Sequence, residues 1–306
     1  MLKRSLGSLE VSVVGIGCNN FGVRLDVDGT RNVVDAAIEA GINFFDTADI
    51  YGGTKSEAFL GEALGPRRSE VVIATKFGMP IDDDHFGAAP SYVRQACEDS
   101  LARLGTDYID LYQLHAPDDT VPIGDTLGAL NELVIAGKVR EIGCSNLTAA
   151  QLRDAKAAAG EGAAFVSVQN QYSLLARDPE RDGVLDTCDE LGLGFLPYYP
   201  LANGLLTGKV RPGQPIPEGS RLAKMPAERS AHWLGDRLQA QVGALINYAQ
   251  EIEVPLLTLA FSWLLSRPEV KSVIAGASNA DQVSANAGAV KKLSTEQIAA
   301  LNVLTD

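Results

Sequence analysis

Residues 44–64 read FFDTADIYGGTKSEAFLGEAL. The stretch opens within a short apolar run, Asn43–Phe45, that follows a glycine, so it reads as a buried strand. A buried strand normally gives way to a turn. This one delivers a carboxylate, Asp46, and five residues later a phenol, Tyr51; helical periodicity then runs over Ser56–Leu64. The unit is strand, polar loop, helix.

Worked outward, the same rhythm covers the chain. β-rich apolar runs recur as VVGIG (13–17), INFFD (42–46), VVIATK (71–76), YIDLYQLH (108–115), EIGCSN (141–146), FVSVQNQY (165–172), LGFLPYY (193–199) and VKSVIAG (270–276). Between them lie segments of helical period: Thr30–Ala40, Ser56–Leu64, Ser91–Leu104, Ile123–Ala136, Thr148–Ala159 and Gly183–Leu191. Asp236–Glu251 and Pro255–Ser266 precede the last run, and Asn279–Ala289 and Ser294–Leu304 close the chain. Eight strand-then-helix units predict an α/β fold, a (β/α)8 TIM barrel. A doubly wound sheet is the alternative, and the count of eight suits it less well. KRSLGSLEVS (3–12) predicts an N-terminal β-hairpin. Ala202–Trp233 is a long Gly/Pro-rich loop after strand seven, too long for an ordinary connection and therefore expected to be functional. With no linker and no matching repeat, residues 1–306 are expected to form a single barrel domain.

Composition narrows the function. A formal charge of −13 argues against a nucleic-acid surface, because phosphate backbones are bound by clustered Lys and Arg. No apolar run approaches the roughly 20 residues that span a bilayer, so no membrane partner is expected. MLKRSLGSLEVSVVGIG at the start has no continuous apolar segment and is not expected to be a signal peptide. Cys18, Cys97, Cys144 and Cys188 are far apart, with no CxxC and no Cys/His cluster of metal-ligand spacing. Reduced thiols, a cytoplasmic location and no metal are the expectations.

In a barrel the C-terminal strand ends converge on one site. Strand two brings Asp46 and, in its loop, Tyr51; strand three brings Lys76; strand four brings His115. Each alone has an ordinary structural explanation. Together they make a chemical set. A free tyrosine, with a pKa of about 10, is a poor acid near neutrality. An adjacent ammonium lowers that value, and a half-buried ammonium needs a counter-charge such as Asp46. A neutral His115 can hydrogen-bond a carbonyl oxygen. Such a site protonates a developing alkoxide while hydride reaches carbon.

With these residues in view, the chain resembles the aldo-keto reductase family over almost its whole length. The resemblance rests on GIGCNNFG, FFDTADIYGGTKSEAFLGEAL, SLARLGTDYIDLYQLH, GKVREIGCSN, VQNQYSLL, YYPLANGLLTGK and GASNADQVSAN, in family order. It implies a (β/α)8 barrel that binds a nicotinamide cofactor, usually NADPH, without a Rossmann domain. The family's catalytic tetrad falls on Asp46, Tyr51, Lys76 and His115. GIGCNNFG does not have GxGxxG spacing, and no helix is expected to start within it, so a pyrophosphate-binding glycine loop is not expected there.

By the same resemblance, Gly17, Cys18 and Asn19 lie beside the nicotinamide. Ser145, Asn146 and Gln169 bond its carboxamide, and Tyr198 stacks on its ring. Pro200, Leu201 and Asn203 follow around the ribose and pyrophosphate, and Lys209 meets the pyrophosphate. Gly276, Ser278, Gln282 and Asn286 hold the adenosine end. Many relatives carry Arg or Lys in the GASN loop for the 2′-phosphate; Gly276 and Asn279 stand there here, so Arg221 of the long loop is the candidate. Ala285 stands where an acidic residue often contacts adenine.

The expected function is an NAD(P)H-dependent oxidoreductase reducing aldehydes or ketones, sugars among them, with NADPH as cofactor and NAD possible. An aldose dehydrogenase working in the oxidative direction is an alternative. A second is a cofactor-binding regulatory subunit like the channel-associated members, which lack the tetrad histidine; His115 argues against it. A barrel hydrolase or isomerase needs paired carboxylates or a phosphate loop at the strand ends, and neither is found. Tyr92, Phe21, Trp233 and Phe86 are candidates for lining the substrate pocket.

Overall fold

Eight strands form one parallel sheet in a computed structural model that describes residues 1–306, apart from the side chain of Arg229. Two strands precede the sheet, β1 (Lys3–Leu6) and β2 (Leu9–Ser12), joined antiparallel through the Gly7–Ser8 turn. The sheet strands are β3 (Val14–Gly17), β4 (Phe44–Asp46), β5 (Val72–Phe77), β6 (Ile109–Leu114), β7 (Val139–Ser145), β8 (Phe165–Gln169), β9 (Gly194–Phe195) and β10 (Val273–Gly276). Neighbours follow chain order from β3 to β9, and β10 returns to pair with β3. Phe195 then bridges Val270, just ahead of β10, and this contact closes the ring. All eight predicted strands are present.

The helices are α1 (Val27–Glu39), α2 (Lys55–Leu64), α3 (Pro90–Leu104), α4 (Ile123–Ile135), α5 (Ala149–Ala159), α6 (Asp178–Arg181), α7 (Val184–Leu191), α8 (Ala227–Trp233), α9 (Asp236–Glu251), α10 (Leu256–Leu265), α11 (Ala280–Ala287) and α12 (Thr295–Thr305). Local chemistry starts several of them. Asp26 caps α1, Asn279 caps α11, and Thr148 and Ser294 make full capping boxes with Gln151 and Gln297. The short helix α6 lies in a segment that the periodicity left unassigned, and α8 is a correction, since it closes the Ala202–Trp233 segment expected to be loop throughout.

Period-two alternation decides what faces the barrel axis. Phe44, Val72, Ala74, Leu111, Leu196 and Ile274 pack together as one inner cluster with Leu6, Leu9 and Val11 of the hairpin, which plugs that end. Two residues further along three of these strands come Asp46 after Phe44, Lys76 after Ala74 and Gln113 after Leu111. They are 3%, 1% and 0% exposed. An apolar plug below and a layer of buried polar groups above set the floor of the site.

Candidate active site

Lys76 Nζ donates to Asp46 Oδ2 at 2.7 Å and to the Thr47 carbonyl at 2.8 Å. The other carboxylate oxygen, Oδ1, accepts from Gln169 Nε2 at 2.9 Å and Gln113 Nε2 at 3.3 Å. The buried pair therefore has several further hydrogen bonds, the condition under which buried charge is tolerated. The Nζ sits 5.1 Å from the centre of the Tyr51 ring.

Tyr51 is held in place by the glycine that follows it. Gly52 has φ +65°, and a Cβ there would lie 2.5 Å from the Phe21 carbonyl oxygen. Only glycine lets the Tyr51 loop close against the loop after β3. His115 stands edge-on to Tyr51, ring centroids 5.8 Å apart. Its backbone N–H donates to the Phe77 carbonyl at 2.9 Å. Burial and, second, the Lys76 charge push its imidazole down to about 3, so it is neutral near pH 7. For Tyr51 the expectation of a lowered value is not met. Burial holds the phenol above its ordinary value, and the Lys76 ammonium offsets only part of that rise. A phenol so placed keeps its proton until an acceptor arrives.

These groups open onto a cavity of about 770 Å³, within the range of small-molecule sites. Gly17, Asn19, Asp46, Tyr51, His115, Ser145, Asn146, Gln169, Tyr198, Pro200, Leu201, Asn203, Lys209, Arg221, Gly276, Ser278, Gln282 and Asn286 all line it. Two of the sequence-derived site residues do not. Lys76 lies beneath the surface, bonded to Asp46. Cys18 is a correction: its side chain is 0% exposed in the apolar core, with Sγ 3.6 Å from the Ile16 carbonyl, and only its backbone touches the site through a bond to the Asp46 carbonyl. The aromatic candidates for the pocket wall are also corrected. Phe21 and Trp233 are buried in the core, Phe86 points to solvent, and Tyr92 lines a separate hollow of about 150 Å³ with Asp49. Ile50, Met79 and Tyr199 stand on the pocket wall instead.

The long loop supplies much of one wall, from Asn203 to Arg221. Its start is strained: Tyr199, Ala202 and Asn203 have φ of 51°, 46° and 56°. Left-handed non-glycine backbone costs energy and clusters at functional sites. Arg221 stacks over Tyr199 at 5.0 Å and reaches its hydroxyl at 3.3 Å. Asn146, also left-handed at φ 63°, accepts from the Tyr198 hydroxyl at 2.9 Å, which joins two strand ends across the pocket. At the far side Gln282 Oε1 accepts from Ser278 N at 2.9 Å and Ser278 Oγ at 3.2 Å.

Sequence reasoning missed Gln113, Tyr199 and Arg24. Gln113 had a signal, since it lies two residues before His115 on the same strand face. Arg24 and Tyr199 had none, because loop shape brings them in.

A nicotinamide dinucleotide suits this donor set. The pocket wall carries three buried polar atoms without partners, Asn19 Oδ1, His115 Nδ1 and Asn203 Oδ1, and orphaned buried groups of this kind mark a ligand's place. A model of the Aldo/keto reductase family matches residues 13–306. The chain belongs to the aldo/keto reductase family. A soybean (Glycine max) protein, "Probable aldo-keto reductase 1", is 34% identical over 97% of this chain and 86% of its own length. An Arabidopsis thaliana relative, "Probable voltage-gated potassium channel subunit beta", is 35% identical over 95% of this chain and 91% of its own. Among solved structures, the holo form of aldo-keto reductase AKR11C1 from Bacillus halodurans superposes with a TM-score of 0.79 at 32% identity, covering 100% of this chain and 97% of that one. Family membership makes the protein an NAD(P)-dependent oxidoreductase with a (β/α)8 barrel. No helix among the described residues is long and apolar enough to cross a membrane, and no His/Cys/Asp/Glu group among them is arranged to hold a metal.

Proposed function

We propose that the protein reduces aldehyde or ketone carbonyls with NADPH, Tyr51 supplying the proton. One observation carries the reading: a protonated phenol, an ammonium–carboxylate pair and a neutral imidazole meet at the floor of one pocket. The nicotinamide, when bound, supplies the hydride. Ser145, Asn146 and Gln169 would bond its carboxamide. Gln169 gives one amide hydrogen to Asp46, which leaves its second amide hydrogen as donor and Oε1 as acceptor. Tyr198 would face the ring, Lys209 the pyrophosphate, and Ser278, Gln282 and Asn286 the adenosine end.

The neutral His115 offers one ring N–H to the substrate carbonyl oxygen and orients it. Tyr51 gives its proton to that oxygen as charge develops, and the Lys76 ammonium stabilises the phenolate left behind. Asp46 keeps the ammonium in place through its 2.7 Å bond. In the oxidative direction the same phenolate is the base, so an aldose dehydrogenase uses the same residues. NADPH is favoured over NADH by Arg221, whose guanidinium can grip a 2′-phosphate bidentately. A regulatory role, suggested by the channel-subunit name of the Arabidopsis relative, has less support, because His115 completes the proton-transfer set.

The test is a panel of aldehydes, ketones and the matching alcohols, each mixed with NADPH, NADH or their oxidised forms while nicotinamide absorbance is followed. Carbonyl-dependent loss of NADPH absorbance is expected. Tight NADPH binding without turnover on any carbonyl or alcohol would favour the regulatory reading.

A further inference from the structure

Gln113 lies off the pocket wall and takes no part in the proton transfer described above, yet its chemistry is out of place for a core position. It is 0% exposed. The strand register sets it beside Lys76 of β5 and Gly143 of β7. Leu111, two residues back on the same face, is apolar. A carboxylate only accepts, so the Gln113 amide presents Nε2 to Asp46 Oδ1, at 3.3 Å. The other end of the amide, Oε1, is buried with no partner among the described residues. Burying half an amide unpaired is destabilising, and a leucine at this position would not incur that cost. The neighbouring strand also makes room for the side chain. A Cβ at Gly143 would lie 3.2 Å from Gln113 Cγ and 2.5 Å from Ser167 Oγ.

We propose, on the functional reading above, that Gln113 is a positioning residue for proton transfer: it holds Asp46 from the buried side and so fixes the Lys76 ammonium beside Tyr51. Asp46 Oδ1 takes two amide donors, and they differ. Gln169 stands on the pocket wall, where a ligand bound in the pocket can reach it. Gln113 is sealed beneath the wall, so its bond survives ligand binding. With Oδ1 pinned, Oδ2 stays on Lys76 Nζ at 2.7 Å, and Nζ stays 5.1 Å from the Tyr51 ring centre. An ammonium fixed in advance stabilises a forming phenolate without reorganising during the reaction. The charged groups that Gln113 meets are Asp46, which it bonds, and Lys76, its neighbour in register. Being neutral, it orients this pair without changing the net charge.

The test compares wild type, Gln113→Leu and Gln113→Glu between about pH 5 and 9. Single-turnover rate, carbonyl KM and the NADPH dissociation constant are measured with the fastest-reduced carbonyl of the panel above. Gln113→Leu should slow the single turnover about tenfold, the low end for a hydrogen bond to a charged group because this bond is long. KM and the NADPH dissociation constant should not change. In Gln113→Glu two carboxyls this close cannot both ionise readily. While the new carboxyl keeps its proton, its O–H replaces the amide donor, and the rate should approach that of wild type at the acid end. As that proton leaves, the rate should fall below that of Gln113→Leu. Wild type should show no such fall, because burial holds the Tyr51 phenol above its ordinary value. A merely structural glutamine would lower the melting point of both variants and leave the glutamate variant with the wild-type pH profile. A wild-type rate in folded Gln113→Leu, a wild-type pH profile in Gln113→Glu, or a loss confined to KM or to NADPH binding would each overturn the positioning role alone. If Gln113→Leu does not fold, the pH profile of Gln113→Glu against wild type decides by itself. A wild type that reduces no carbonyl would overturn the functional reading, and this role with it.

Discussion

Lys76→Met removes the cation from a carboxylate that is 3% exposed. Asp46 would lose its 2.7 Å bond to Nζ, and the Thr47 carbonyl its 2.8 Å donor. Breaking one side of a buried pair typically costs about 3–5 kcal/mol. Asp46 keeps two amide donors, Gln169 at 2.9 Å and Gln113 at 3.3 Å, which places the cost near the lower end, about 3 kcal/mol. With an unfolding entropy of about 2.1 cal/mol/K per residue over 306 residues, that is a fall in melting temperature of about 5 °C. Asp46 and neighbouring phenol hold the Lys76 ammonium above its ordinary value, although burial opposes them. A raised amine contributes fully below its unfolded pKa of about 10.4 and is lost only as pH rises through the folded value. The difference between wild type and Lys76→Met should therefore stay constant across neutral pH. Scanning calorimetry on wild type, Lys76→Met, Asp46→Asn and the double variant is the assay. The double variant should recover about 1–2 kcal/mol relative to the sum of the single losses and show no turnover. Additive losses would refute the energetic coupling of the pair.

Two further outcomes follow from groups beside the pair. Burial first, and Glu57 second, raise the Asp49 carboxyl to about 7. Its stabilising contribution is complete below the unfolded pKa and is lost as pH rises through the folded one, so Asp49→Asn should gain up to about 4 kcal/mol more at pH 8.5 than at pH 4 in urea unfolding. The His115 imidazole, at about 3 instead of its ordinary 6.5, has the opposite sign: the unfolded chain takes the proton first as pH falls. Wild-type stability should drop between those two values by up to about 4 kcal/mol more than that of His115→Gln, measured by denaturant unfolding across the same range.

The fold was legible because each strand is a short apolar run and each long helix has its own period and, in several cases, its own cap. The meeting of Asp46, Tyr51, Lys76 and His115 in one place was legible because strand ends and the loops that follow them converge at one end of a barrel. Gln113 shows the limit of reading only the last residue of a strand: alternation put it in the same layer, and its amide holds Asp46. Cys18 shows another limit. A residue between two pocket-lining neighbours, Gly17 and Asn19, turns its side chain into the core. The sign of the Tyr51 shift was not readable, because it depends on how much water burial removes against one nearby ammonium. Arg24 and Arg221 are brought to one pocket by loop conformation, which composition does not encode.

The central claim is that Tyr51 is the proton donor. Single-turnover reduction by Tyr51→Phe, with the NADPH dissociation constant measured on the same sample, tests it most directly. The ring and its packing against His115 remain, and only the hydroxyl is lost. Loss of general acid catalysis should slow the reaction by roughly 10²–10⁴ while cofactor affinity holds. A folded Tyr51→Phe protein that binds NADPH normally and reduces the same carbonyl at close to the wild-type rate would contradict the account.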